Sequence, residues 1–209
     1  AARYCEPEDY GIYSLVFAVA NLVSVVTSVW IAQSVLRYVG SGVGVNSLKS
    51  VLLVGTTSAA FLSLLDPQIT SLDIMRNTHR GADGRYLDIS VLAVALSLNV
   101  MVTAYALALQ QFRIYRNAEI TRSFLLILLA MAVAFLHAGS RGLVLTYASA
   151  TFASSFLLLR QLNITKLDEE KIPLFTVLRK YAQYGGPMVV WAGLQASQAL
   201  IERSLLSAA

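Results

Sequence analysis

Gly11-Ile-Tyr-Ser-Leu-Val-Phe-Ala-Val-Ala-Asn-Leu-Val-Ser-Val-Val-Thr-Ser-Val-Trp-Ile-Ala-Gln-Ser-Val-Leu36 contains no Asp, Glu, Lys or Arg, and that absence decides the fold. A helix needs about 20 predominantly apolar residues to cross the hydrocarbon core of a bilayer. Four further runs free of charge are of comparable length: Ile89 to Phe112, Ser123 to Ser140, Gly142 to Leu159 and Tyr181 to Ile201. Ser50 to Leu65 is a shorter sixth candidate, closed by Asp66-Pro67. Across the 209 residues only 13% are charged and 56% are hydrophobic, whereas a soluble domain carries about 25% charged residues. Lipid offers the backbone no hydrogen-bond partner, so each span is expected to be a helix. The dyad alternation of a membrane barrel is missing. The fold class read from the sequence is therefore all-α, a polytopic helical membrane protein.

The expected helices cover about 11–36, 50–66, 88–112, 120–140 and 142–160, all within a first unit spanning 1–162. A linker at 163–183 and a last helix at 184–209 follow. Pro173 to Tyr184 reads equally as an interfacial helix or as plain linker. Leu174, Val177, Leu178 and Tyr181 fall at i, i+3, i+4 and i+7 beside Arg179 and Lys180, the pattern of a helix lying on a membrane. Gly185-Gly-Pro187 reads as a flexible joint with a helix-starting proline. The link His137-Ala-Gly-Ser-Arg-Gly142 is short enough to force a helical hairpin. Neither Ala1-Ala-Arg3 nor Ser207-Ala-Ala209 resembles a natural terminus, so the chain reads as a fragment.

Basic residues set the orientation. One set of alternate loops holds Arg37, Lys49, Arg113, Arg116, Arg122, Arg160, Lys166, Lys171, Arg179 and Lys180; the other holds Arg3, Arg76, Arg80, Arg85, Arg141 and Arg203. The positive-inside rule assigns the richer set to the cytoplasm, which puts residues 1–10 outside. Because these loops explain the net charge of +4, that charge does not point to nucleic acid.

Polar residues inside spans are costly and usually have a purpose. Asp88, Asn99, Thr103, Gln110 and Arg113 cluster on one face at about 100° per residue, as do Trp191, Gln195, Gln198 and Glu202. For these long amides and acids a water-filled cavity on a transport path is at least as good a reading as helix packing. Ala18, Asn21, Ser24, Ser28 and Ala32, and then Thr146, Ser149, Ala150, Ala153 and Ser154, read instead as small-residue packing faces. Catalytic chemistry finds no footing. His79 and His137 have no partner at metal-ligand spacing, the single Cys5 builds no cluster, and Asp168-Glu-Glu170 reads as a solvated loop face. Gly40-Ser-Gly-Val-Gly-Val-Asn-Ser-Leu-Lys-Ser50 lacks the Gly-Lys-Ser/Thr junction of a phosphate loop. No enzyme, cofactor or metal site is expected.

Several motifs, in order, resemble those of the polysaccharide flippases, the O-antigen and exopolysaccharide branch of the multidrug/oligosaccharidyl-lipid/polysaccharide exporter superfamily. Arg3-Tyr-Cys-Glu-Pro-Glu-Asp-Tyr-Gly-Ile-Tyr-Ser-Leu15 is similar to the start of their second helix, and Trp30-Ile-Ala-Gln-Ser-Val-Leu-Arg-Tyr38 to its end. Gln111-Phe-Arg-Ile-Tyr115 with Ile120-Thr-Arg122 resembles the turn between helices four and five. Tyr184-Gly-Gly-Pro187 and Ile201-Glu-Arg203 resemble the two ends of helix seven. Glu202 stands where the family usually has Asp, and Thr27-Ser-Val-Trp30 replaces a small acidic pattern common in relatives.

The resemblance implies that the chain covers helices two to seven of a fourteen-helix, two-lobed transporter of the inner (cytoplasmic) membrane. Such a protein moves a polyprenyl-pyrophosphate-linked oligosaccharide between leaflets by alternating access. The partners implied are that lipid-linked oligosaccharide, membrane lipid and polysaccharide polymerase machinery. On this reading Arg37 and Arg203 are the candidates for the pyrophosphate, since Arg forks match phosphate oxygens. Asn21, Asn99, Gln195 and Gln198 are the candidates for the glycan, and Asp88 and Glu202 for ion coupling. Arg37 also fits a plain positive-inside anchor, and Arg203 a partner for Glu202. The alternatives are a multidrug or metabolite cation antiporter of the same superfamily, and a non-transporting membrane scaffold.

Overall fold

The structure, a computed structural model, describes residues 7–39, 48–64, 82–162 and 174–208, with side chains placed for 10–39, 51–63, 87–162, 175–198 and 201. Seven α-helices account for almost all of these residues: α1 (Pro7–Ser24), α2 (Trp30–Tyr38), α3 (Leu48–Leu64), α4 (Ala82–Ala108), α5 (Phe112–Leu136), α6 (Gly139–Gln161) and α7 (Leu174–Ala208). A π-helical turn at Val25–Val29 joins α1 to α2 without a break, making one rod. No strand occurs among the described residues.

Four helices are long and apolar enough to cross a membrane: Tyr10–Tyr38, Leu87–Ala108, Phe112–Leu136 and Gly139–Gln161. Val51–Ser63 of α3 is a shorter apolar helix. The charge-free run Tyr181 to Ile201 does not join them. Gln183, Gln195, Ser197 and Gln198 keep it too polar, so freedom from charge alone is not apolarity.

Three helix ends depart from the sequence reading. Instead of running to 112, α4 ends at Ala108, and α5 begins at Phe112 rather than near 120. The turn between them is a Schellman closure: Gln111 N–H donates to the Ala106 carbonyl and Gln110 N–H to that of Leu107, both at 2.9 Å. Gln110 adopts the left-handed conformation at φ 56°, a position glycine usually fills, so composition gives no warning of it. Arg113, Arg116 and Arg122 consequently lie on α5, not in a loop. At the far end of α5 the expected hairpin forms, closed by left-handed His137 (φ 49°) and an Ala138 N–H bond to the Val133 carbonyl at 3.3 Å. The third departure is α7, which runs unbroken through Gly185-Gly-Pro187. The amphipathic stretch before this tripeptide is simply the first part of that helix, with Val177 and Tyr181 buried.

The rod formed by α1, the π-turn and α2 packs between α7 and α4; α6 packs on the rod, α4 and α5. Exposed Arg37, Arg113, Arg116, Arg160, Arg179 and Lys180 gather where α2 and α6 end and α5 and α7 begin. This is the basic end of the bundle. The core divides in two. One apolar cluster, including Ile31, Val35, Met101, Tyr105, Leu158 and Tyr181, fills the basic half. A second, including Val16, Ala20, Ile89, Leu92, Val144 and Ala148, fills the opposite half.

Candidate functional site: a polar waist between two apolar cores

Between the two clusters the buried residues change character. On the rod, Ser24, Thr27 and Ser28 lie between Val23 and Ile31; on α4, Ser97 and Asn99 lie between Ala95 and Met101; on α6, Thr151, Ser154 and Ser155 lie between Ala148 and Leu158. All eight are at most 7% exposed. Buried polar residues are concentrated at this level, with Ser34, Asp88 and Thr146 the buried polar residues of these helices outside it, so together they form a waist across the bundle.

α4 divides the waist into two flanks. On the rod side, Thr27 Oγ1 donates to the Val23 carbonyl at 2.8 Å and sits 3.2 Å from Ser28 Oγ and 3.4 Å from Ser97 Oγ. Bonding back to the residue four earlier is how Ser and Thr satisfy themselves inside a helix, and it often bends the helix. Here it falls within the π-turn, a feature frequently found at functional sites. Below this level, towards the basic end, α7 presses on the rod. A Cβ at Gly185 would land on the Trp30 carbonyl, with Ser34 Oγ 2.9 Å away, so only glycine allows the two backbones to approach this closely. The Ser34 hydroxyl lies 2.8 and 2.9 Å from the Trp30 and Tyr181 carbonyls, its one proton shared between them, tying the two elements together.

The other flank carries charge. Asn99 Nδ2 donates to Ser155 Oγ at 3.3 Å, and Arg122 Nη1 of α5 reaches Asn99 Oδ1 at 3.5 Å. Arg122 Nη2 also meets Glu119 Oε2 at 2.6 Å, both side chains being 25% exposed. Ser154 Oγ donates to the Ala118 carbonyl at 3.3 Å, holding α6 against α5. A second ion pair, Asp88 Oδ1 with Arg141 Nε at 3.4 Å, lies at the end opposite the basic one.

At the basic end Arg37 projects from α2 into an aromatic frame. Its guanidinium carbon lies 4.4 Å from the ring centre of Tyr184 and 5.9 Å from that of Tyr38. Tyr38 stacks on Tyr181 at 5.9 Å and meets Tyr184 edge-on at 6.0 Å. Two turns of α7 and the end of α2 thus position one cation.

The residues singled out from sequence fall in several places. Arg37 stands in the aromatic frame, and Asp88 is bound to Arg141. Asn99 is buried in the charged flank. Asn21 is half-buried on α1, while Gln195 and Gln198 are exposed on α7 next to Trp191. The side chains of Glu202 and Arg203 lie outside the described residues. The face proposed on α4 stops at Thr103, because Gln110 belongs to the turn and Arg113 to α5. The two small-residue faces are packing surfaces in large part: Ala18, Ser24, Ser28, Ala32, Thr146, Ala150 and Ser154 are buried.

Glu119, Arg122 and Ser155 were not legible as site residues. The acid and base stand at i and i+3, a spacing that pairs side chains on a helix. That signal was masked by reading Arg122 as a loop cation. Among the described residues no three His, Cys, Asp or Glu side chains gather to hold a metal.

Comparison with family models, with curated proteins and with solved structures finds no match. What the fold itself defines is the class: an all-α membrane protein with four helices long and apolar enough to cross a bilayer.

Proposed function

We propose that this chain forms most of the N-terminal lobe, and the first helix of the C-terminal lobe, of a two-lobed flippase in the inner (cytoplasmic) membrane, moving polyprenyl-pyrophosphate-linked oligosaccharide. The observation that carries the reading is Arg37. The two acids with described side chains, Asp88 and Glu119, are engaged by Arg141 and Arg122, so among the described residues Arg37, exposed, is faced by tyrosine rings and by no carboxylate. A cation over an aromatic face gains about 0.5–1 kcal/mol at exposed sites, and its N–H edges stay free for phosphate oxygens. The exposed Trp191, Gln195 and Gln198 of α7 supply a flat ring and amides of the kind sugar hydroxyls meet, on a helix whose opposite side is bound to the rod. An exporter driven by cation exchange needs an available carboxylate inside the spans. Both described acids being paired counts against that alternative.

The test uses the full-length gene, deleted in its host, and extraction of polyprenyl-linked intermediates. Loss of surface polysaccharide with accumulation of complete lipid-linked repeat units is the expected result. Unchanged polymer and unchanged intermediates overturn the proposal. Complementation with Arg37→Lys is expected to restore transport poorly, since an ammonium keeps the charge but loses the fork.

A further inference from the structure

We infer that the charged flank of the waist is a hydrated inlet, opening between α4, α5 and α6 at the basic end and closing blind before the opposite core. This rests on the waist alone and stands apart from the flippase proposal. Among the described residues, buried Thr103 Oγ1, Thr151 Oγ1 and Arg122 Nε have no hydrogen-bond partner in the protein. They bracket the Asn99–Ser155 contact. Thr103 lies one turn beyond Asn99 towards the basic end, and Thr151, fully buried, lies one turn before Ser155 on the far side.

An unsatisfied buried polar group costs about 1–3 kcal/mol, and buried polar groups in native proteins nearly always find a partner, protein or water. Three orphans beside one polar contact define a place where water is stable, since a buried water typically makes about three hydrogen bonds to such groups. Access is provided by Glu119 and Arg122, whose side chains are one-quarter exposed and whose ion pair touches Asn99. Beyond Thr151 the route stops: Leu92, Ala95, Val144 and Ala148 are at most 2% exposed and wholly apolar. The rod-side flank shows no such orphans among the described residues, because Thr27 donates to the Val23 carbonyl and lies within reach of both Ser28 and Ser97. The inlet gives the Glu119–Arg122 pair contact with solvent on the basic side and keeps the Asp88–Arg141 pair beyond the seal.

Cysteine accessibility in the full-length protein tests this, with Cys5→Ser as background and 2-aminoethyl methanethiosulfonate as a small hydrophilic probe. Thr103→Cys, Thr151→Cys and Ser155→Cys are expected to react at least about tenfold faster than Leu128→Cys on the outer face of α5 and Ala148→Cys in the seal, because the reactive thiolate forms only where water reaches it. Should the buried variants fail to fold, Thr103→Cys at its half-buried position carries the comparison. If the inlet cysteines react no faster than Leu128→Cys, the flank is dry and the inference is overturned. Fast labelling of Ala148→Cys overturns the blind end.

Discussion

The two flanks of the waist solve one physical problem in different ways. On the rod side, small hydroxyls bond to their own helix and to each other, and α7 approaches until backbone meets backbone at Gly185. On the α5–α6 side, longer side chains reach across: an amide, a guanidinium and a carboxylate, with Arg122 Nε and the Thr103 and Thr151 hydroxyls beside them left over. Closeness makes the first flank dry and intolerant of added volume. Reach makes the second tolerant of volume but dependent on chemistry. Polar residues in a membrane bundle thus need not all be functional. Those that are mutually satisfied act as packing, and those with unspent capacity mark where water or ligands belong.

The difference is broken most severely at Gly185. Gly185→Ala forces α7 away from Trp30, and overpacking of this kind costs about 1–3 kcal/mol, occasionally more. It is expected to give the largest drop in thermal unfolding temperature of the purified full-length protein. Gly55→Ala is the control: its Cβ would meet Met101 Cε at 2.7 Å, but a thioether can swing aside, so the loss should be clearly smaller. Equal losses at the two glycines would show that the rod–α7 contact is not special.

On the charged flank, Asn99→Ala removes the acceptor for Arg122 and the donor for Ser155, with an expected cost of about 1–2 kcal/mol in the same measurement. Asn99→Asp sharpens the point. It keeps the shape, strengthens the bond to Arg122 and is expected to recover more stability than Asn99→Gln. The smallest effect belongs to Thr27→Val. Interhelical hydrogen bonds in membranes average about 0.6 kcal/mol, and the one interhelical contact Thr27 makes here is the long 3.4 Å approach to Ser97. A loss as large as that of Asn99→Ala would erase the proposed asymmetry.

Much of the architecture is written in the charge-free runs, since the spans and the α5–α6 hairpin need only length, apolarity and a short polar link. The packing faces of α1 and α6 were equally legible from their small residues. Three things were not. The α4–α5 turn places Gln110 where glycine would have announced it. α7 continues through Gly185-Gly-Pro187 because the rod supports it on one side; local propensity says break, and tertiary packing prevails. The waist itself is a coincidence of level among three helices. A periodic face on α4 foretold Asn99, but nothing in one helix says that Ser155 and Arg122 arrive at the same height.

The π-turn at Val25–Val29 holds one residue more than the α-helical path needs, so it is the natural scar of a single-residue insertion. Ordinarily, losing one residue inside a span rotates all that follows by about 100° and turns a buried face towards lipid. Here a deletion within the turn lets it relax to an ordinary helix while Ala18 and Val35 keep their present facing. This stretch is therefore the one place in the rod where the chain can change length without changing its surface, and a natural site for related sequences to differ by a gap.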